Sequence, residues 1–383
     1  MQERRENGTG TIYQRSNGSW VGRVYLGTDR EGKKKYRYFS GRTQAEVKRQ
    51  LREFTIKEQT LPCDETVETY LKEWLETYKK DSVKRSTYDR IETVVRVQIV
   101  PYIGMIKMGQ LTSKDIQKML NGLKKEGLAY HTIKKAHDTL NNALTFATDN
   151  DDIPKNPMRL VNMPDKRSFP EKEIRFFTEK EASMITEECR RRYGTGTPVY
   201  IYGEAFVLLL NTGLRTGEAI ALEKKDWDKQ KNVLHVRRNV QSVKKRDEDG
   251  KATGGYELIR NSTKTYSGTR DIPLNQTATE ALNRLCEQCP NSPYIICSSK
   301  GETIPPERME RTFYRLLKNA GLEKAGLHSL RHTFASFLFE KKVDIKTIST
   351  LLGHSSIQVT MNTYVHLMNN PQHAAVAALD DIF

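Results

Sequence analysis

Cysteine is scarce in this chain of 383 residues, with only Cys63, Cys189, Cys286, Cys289 and Cys297. So few thiols exclude a disulfide-rich secreted scaffold. Cys286-x-x-Cys289 has the spacing of half a zinc site, but only Cys297 lies near and no second pair follows. Reduced structural thiols are therefore the expectation, with no metal. Long apolar runs are missing too: no stretch approaches the ~18 residues of a membrane span. The opening Met1-Gln-Glu-Arg-Arg-Glu-Asn lacks the apolar core of a signal peptide. A cytoplasmic protein with no membrane partner is expected. Internal repeats and low-complexity tracts are also absent, which excludes solenoids and disordered scaffolds.

Negative charge is in short supply. Against 63 Lys+Arg stand 48 Asp+Glu, a formal net charge of +15. Such a field favours a polyanionic partner and describes binding rather than fold. The length exceeds one ordinary core, so two or three domains are expected.

The first segment reads as a small α+β unit over residues 1–58. Gly10–Arg15, Trp20–Leu26 and Lys35–Phe39 are short aromatic and β-branched runs separated by turn chemistry at Ser16-Asn17-Gly18 and Asp29–Gly32. A helix follows, with Thr43 and Glu46 as its capping box and Val47, Leu51 and Phe54 on one face. Trp20, Val24 and Leu26 share the face that packs on this helix. Arg23 and Tyr25 then project from the other, with Lys35 and Arg37 as their expected companions on the third strand. Through residue 58 there are 14 Lys+Arg against 7 Asp+Glu. A three-stranded sheet with so basic and aromatic an outer face can enter a DNA groove.

After a linker at 58–64, residues 64–155 carry a helical period. Val67, Leu71, Trp74, Leu75 and Tyr78 form one stripe, and Ile133, Ala136, Leu140, Ala143, Leu144 and Ala147 another. Thr112 and Asp115 open a helix, and Pro101-Tyr-Ile-Gly104 turns the chain. The prediction is a four-helix bundle with lysine-rich outer faces. Pro154, Pro157, Pro164 and Pro170 then suggest an extended tether that would let two domains close around a duplex. A third domain, 172–383, begins with a capping box at Thr178 and Glu181.

This third segment holds the chemistry-bearing residues. Ala205–Leu210 reads as a buried helix, broken at Thr212-Gly213, with a second helix opening around Arg215. An arginine beside a helix start adds its charge to N–H groups that already favour anions, and Glu218 is placed to orient the guanidinium. Val233–Arg238 and Glu257–Arg260 flank the polar stretch Lys244–Gly255 as a hairpin. Lys264 follows in Thr263-Lys264-Thr265, at a strand end or turn. Gly326-Leu-His328-Ser-Leu-Arg331-His332 opens a helix with His328 and Arg331 one turn apart on one face. Leu351-Leu-Gly353-His354 ends the next helix with glycine, and Asn362-Thr-Tyr364-Val-His366 supplies a tyrosine. Each word alone has an ordinary structural explanation. His332, His366, His131, His137, His235 and His373 lie outside the series and read as structural or surface residues.

Taken together and in this order, Arg215, Lys264, His328, Arg331, His354 and Tyr364 resemble the catalytic set of the tyrosine recombinases, the lambda-integrase family. The resemblance covers about residues 174–370. It implies a mixed α/β, mainly helical catalytic domain behind a helical core-binding domain and an N-terminal three-stranded arm-binding domain. It also implies an activity: site-specific recombination that integrates or excises a mobile element of a bacterial cell. Tyr364 would attack phosphorus and form a 3′-phosphotyrosine link, with His328 as base and Lys264 protonating the leaving 5′-oxygen. Arg215, Arg331 and His354 would hold the non-bridging oxygens. The implied partners are double-stranded DNA at core and arm-type sites, a homotetramer, and an excisionase or DNA-bending accessory protein; no cofactor is implied. The tail Pro371–Phe383, with Ala374–Leu379 apolar, would pack on its own domain or on a neighbouring protomer.

Two alternatives stay open at this point. A type IB topoisomerase uses a similar set but swivels one duplex, and a non-catalytic DNA-binding regulator could keep the fold. Residues 1–58 favour an integrase over Xer-like resolvases, which usually lack such a sheet.

Overall fold

The short runs at the start of the chain do form strands. In the computed structural model, which describes residues 11–16, 18–28, 34–59, 64–170, 175–248, 250–262 and 268–364, β1 (Thr11–Gln14), β2 (Trp20–Thr28) and β3 (Lys34–Gly41) make an antiparallel sheet in that order. Helix α1 (Gln44–Gln59) packs on it. Thr43 Oγ1 caps the Glu46 N–H, while Glu46 reaches back to the Arg42 N–H rather than that of Thr43. Gly22 lies against this helix so closely that a Cβ there would stand 2.6 Å from Leu51 Cδ1. A larger residue there would force the Leu51 and Val47 side chains of α1 to shift.

The register corrects one expectation. Tyr25 pairs with Tyr36, Arg23 with Tyr38 and Val24 with Arg37. Cross-strand partners share a face, so the outer companions of Arg23 and Tyr25 are Tyr36 and Tyr38. Arg37 belongs to the helix side, where its guanidinium lies 4.8 Å from the Phe54 ring centroid. The backbone of Lys35 pairs with Gly27 across a β-bulge; its side chain falls outside the description.

The chain divides into two compact units, 1–170 and 171–383. Within the first, four helical stretches share a core separate from that of the sheet. They are α2 (Val67–Trp74), α3 (Arg85–Val94) with α4 (Val100–Ile103), α5 (Ser113–Lys125) and α6 (Tyr130–Asp149). Two π-helical turns, Leu75–Lys79 and Val95–Ile99, interrupt this regularity. Each follows adjacent buried residues, Trp74-Leu75 and Val94-Val95. The wider turn rotates the apolar stripe by about one residue and keeps both members inside. Pro101 therefore does not turn the chain. It lies inside one continuous helical run, directly after the second π-helical turn, and Gly104 closes that helix.

The proline-rich stretch after α6 is likewise no free tether. Met158 is buried, Pro157 O accepts from Ser113 Oγ at 2.6 Å, and Gln117 bonds both backbone groups of Asn162. Phe169 rests edge-on to Tyr130. The strap adheres to the bundle through residue 169.

In the second unit, α7 (Glu179–Cys189) opens with the expected Thr178–Glu181 capping box. Helix α8 (Gly203–Thr212) is the axis of this unit, with nine of its residues buried, including Phe206 to Leu210. Truncating one such leucine to alanine typically costs about 2–5 kcal/mol. Helix α9 (Thr216–Ile220) follows at once. Strands β4 (Trp227–Asp228), β5 (Val233–Val236) and β8 (Arg270–Pro273) form one small sheet, and β6 (Arg238–Arg246) and β7 (Ala252–Ser262) a separate hairpin. Val233–Val236 thus pairs with β8 and not with the Glu257–Arg260 strand. Helices α10 (Gln276–Gln288), α11 (Pro306–Asn319), α12 (His328–Glu340), α13 (Ile345–Leu352) and α14 (Ile357–Tyr364) complete the unit.

Cys289 and Cys297 form a disulfide, correcting the expectation of reduced thiols throughout. Cys189 and Cys286 remain free, and Cys63 lies outside the described residues. The reason is spatial: the loop after α10 returns beside its own start. The bond also removes Cys289 from any zinc set. Among the described residues no group of three or more His, Cys, Asp or Glu side chains is placed to hold a metal ion, and no helix is long and apolar enough to cross a membrane.

Candidate active site

Two helices of the second unit end on a left-handed glycine, α8 on Gly213 (φ 62°) and α13 on Gly353 (φ 64°). Ending a helix this way leaves its last carbonyls without intrahelical donors and at the negative end of the dipole. Cations satisfy both needs, and here they are arginines. Leu351 O accepts from Arg270 Nε at 2.6 Å, Leu352 O from Arg331 Nη2 at 2.6 Å, and Gly353 O from Arg215 Nη2 at a longer 3.4 Å. Gly213 O, at the end of α8, takes Arg331 Nη1 at 2.7 Å. Three consecutive carbonyls of one helix end thus hold three guanidiniums. Arg215 does stand at the helix start the sequence suggested, as the residue before α9, but its guanidinium reaches across to the C-terminus of α13.

That start is already occupied. Glu218 Oε2 accepts from the Arg215 N–H at 2.9 Å and Oε1 from Arg215 Nη1 at 2.7 Å. The expected orienting role of Glu218 therefore has a geometry: it grips both ends of Arg215. Glu218 Oε2 also takes Arg270 Nη2 at 2.9 Å, in an ion pair whose side chains are each 4% exposed. Burial opposes ionisation of Glu218, but the Arg270 bond and the charges of Arg270 and Arg215 outweigh it, so its pKa lies below the usual carboxylate value.

Burial sorts the two expected arginines. Arg331 is 2% exposed, whereas 39% of the Arg215 side chain stays open. Around them stand three imidazoles. His328 opens α12, and its ring centroid lies 4.7 Å from that of His332, edge to face. His354 follows Gly353, with Nδ1 2.7 Å from the buried Thr360 Oγ1 of α14. Burial first, then the Arg331 and Arg215 guanidiniums, push His328 and His354 down to about 4. Burial, then His328 and Arg331, do the same to His332. His328 is exposed, so water screens part of that charge. All three rings are neutral at neutral pH. A neutral ring next to guanidiniums can accept a proton or, through its one N–H, donate a hydrogen bond.

Of the expected set, Arg215, Glu218, His328, Arg331 and His354 come together. Lys264 falls in 263–267, outside the described residues, between the end of β7 and the buried Gly268. Tyr364 is the last residue of α14, and only its backbone is described. Helix α14 begins just beyond His354 and packs on α13. Reading the sequence missed Arg270, Thr360 and His332. Arg270 stands in Thr269-Arg270-Asp271-Ile272-Pro273, where alternation along a strand was the available signal: Arg270 and Ile272 are buried, Asp271 exposed. A buried strand arginine needs an anion, and the chain offers Glu218.

A cluster of three guanidiniums with neutral imidazoles beside it suits an anionic substrate. The model of the phage integrase family matches residues 175–370, and that of the phage integrase N-terminal SAM-like domain matches 66–124. The chain is 28% identical to a "tyrosine recombinase XerC-like" protein of Caldanaerobacter subterraneus subsp. tengcongensis, over 94% of this chain and 95% of that one. It is 25% identical to an integrase of Streptomyces ambofaciens, over 100% and 98%. Among solved structures it resembles the Tn1549 transposon integrase in complex with a circular intermediate DNA, with TM-score 0.68 at 22% identity, covering 83% of this chain and 100% of that one. It also resembles a lambda integrase tetramer bound to a Holliday junction, with TM-score 0.60 at 21% identity over 94% and 96%. The chain belongs to the phage integrase family and is a tyrosine recombinase of integrase type, an enzyme of site-specific DNA recombination.

Proposed function

We propose that this recombinase cuts one strand of duplex DNA with Tyr364 and rejoins it to another, integrating or excising a mobile element as a homotetramer on two duplexes. The observation that carries this reading is the arginine cluster on the carbonyls of α13, flanked by neutral His328 and His354 and continued directly by the helix bearing Tyr364.

The Tyr364 phenol loses its proton to His328 as its oxygen bonds to phosphorus. An ordinary phenol has a pKa near 10, so a neutral imidazole close by is what makes it a nucleophile at neutral pH. Charge gathers on the non-bridging oxygens. Arg215 and Arg331 donate to them from positions already fixed by Glu218 and by backbone carbonyls, so little reorganisation accompanies reaction. If the Thr360 hydroxyl donates to His354 Nδ1, Nε2 carries the ring proton and is a further donor. The phosphorus–5′-oxygen bond breaks, and Lys264 gives that oxygen its proton. The 3′-phosphotyrosine link retains the energy of the original ester. A 5′-hydroxyl from a partner strand reverses each step without an external energy source.

Residues 64–155 bind the core site, residues 172–383 cut it, and residues 1–58 read an arm-type site through Arg23 and the outer tyrosines. The lambda integrase structure, a tetramer on a Holliday junction, supports that assembly. An excisionase or a DNA-bending protein is the natural accessory partner where arm and core sites must be brought together. The cytoplasm of a bacterial cell, at its nucleoid, is the proposed setting.

The test is a duplex nicked so that cleavage releases a short fragment and traps the enzyme. Wild type is expected to form a denaturation-resistant protein–DNA adduct, and Tyr364→Phe to bind the duplex but form none. An adduct with Tyr364→Phe would sink the assignment.

A further inference from the structure

Arg270 stands outside the six residues of the proposed reaction, yet it touches the support of three of them. Its guanidinium, on a residue 6% exposed, gives Nη2 to Glu218 Oε2 at 2.9 Å, Nε to Leu351 O at 2.6 Å and Nη1 to Gly268 O at 3.3 Å. Each acceptor leads to a different part of the site. Glu218 holds Arg215 by both its backbone N–H and its guanidinium. Leu351 O is the first of the three carbonyls at the end of α13, whose next members take Arg331 and Arg215 before the chain reaches His354. Gly268 is buried and is the first described residue after the segment that carries Lys264.

From this arrangement we infer that Arg270 is a positioning residue for DNA cleavage, the buried strut that sets Arg215 and the His354 turn in register. The inference rests on the cleavage reading above. Its chemistry suits a guanidinium alone. The planar fork serves acceptors lying in three directions, whereas a lysine ammonium is a point charge on a flexible stem and cannot hold all three at their distances. Displacements of about 1 Å at groups that contact a transition state reduce rates by about 10²-fold. Substrate binding depends on many phosphate contacts and is largely insensitive to such shifts.

The experiment uses the full chain and two variants. Arg270→Lys keeps the buried charge. Arg270→Gln combined with Glu218→Gln replaces the ion pair by amides, so neither partner is left as a lone buried charge. Duplex affinity, thermal unfolding and single-turnover adduct formation at saturating protein are measured on the nicked duplex.

For Arg270→Lys the expected result is duplex affinity within about threefold of wild type and adduct formation slower by about 10²-fold. The double variant should lose at least as much rate. Adduct formation within about threefold of wild type in a folded variant would overturn the inference, as would a defect confined to affinity. If neither variant folds, Arg270 is a folding residue and the inference is wrong. Failure of wild type itself to form the adduct would instead strike the underlying reading.

Discussion

Arg331, at the centre of the candidate site, is 2% exposed and gives its guanidinium to Gly213 O and Leu352 O. Arg23, on the outer face of the N-terminal sheet, is exposed and lies 5.2 Å from the Tyr36 ring centroid. Both are arginines proposed to meet a phosphate backbone, but their settings differ in kind. At the site, carbonyls and a buried carboxylate fix the cations before DNA arrives, so their field acts without reorganisation. On the sheet, Tyr25 and Tyr38, 50% and 55% exposed, and Arg23 meet water and salt, so attraction there is screened and nearly additive. Chemistry needs the first arrangement; reading a groove over a wide surface tolerates the second.

The largest test of this contrast is Arg331→Ala. It leaves Gly213 O and Leu352 O without their donor and removes one clamp on the phosphate. Adduct formation on a nicked duplex should fall by about 10²–10³-fold, and urea unfolding should show a loss of about 2–4 kcal/mol. Unchanged stability would mean that the buried guanidinium is not held as described.

Glu218→Gln comes next. It leaves Arg270, 6% exposed, without its carboxylate, and breaking one side of a buried pair costs about 3–5 kcal/mol. Denaturant midpoints measure this. A loss below about 1 kcal/mol, the range of an exposed pair, would erase the distinction between the two regions.

Acid should act on the site through its histidines. Folded pKa values near 4 for the half-buried His332 and His354 lie below the ordinary 6.5, and the exposed His328 is shifted in the same direction. Between these values the unfolded chain binds more protons. The stability these rings contribute is therefore complete above pH 6.5 and is lost as pH falls toward 4. The thermal midpoint should decline from pH 6.5 to 4.5, at about 2–4 °C per kcal/mol for a unit of this size. His332→Gln should make the decline shallower, and an equally steep decline in that variant would contradict the burial described for His332.

The smallest effect belongs to the open sheet. Arg23→Ala should change stability by less than about 0.5 kcal/mol while lowering the salt dependence of arm-site binding by about one phosphate contact. Fluorescence anisotropy over a salt series measures it. A large stability loss would show that Arg23 is part of a built site after all.

Much of this organisation was legible in the sequence. Period-two runs marked β1 to β3 and period-3.6 stripes marked the bundle, because those patterns follow from which side chains must leave water. Glycine at 213 and 353 announced helix ends, since left-handed backbone strains other residues. Other features were not legible. The outward face of β3 depends on register, which pairs Tyr25 with Tyr36 rather than placing Arg37 outside. Proline marked the stretch after α6 as irregular but not as adherent, because Met158 and Phe169 anchor it through contacts distant in sequence. The disulfide depended on the return of a loop that spacing does not reveal.

The order Arg215, Lys264, His328, Arg331, His354, Tyr364 was determined by the chain alone, and with it the family and the kind of reaction. Only the tertiary structure decided what holds those groups ready. Orphan carbonyls at the end of one helix need donors, and three arginines from α9, β8 and α12 or their starts converge on them. Which carbonyl meets which guanidinium is set by how the helices pack, and no local pattern of residues encodes that.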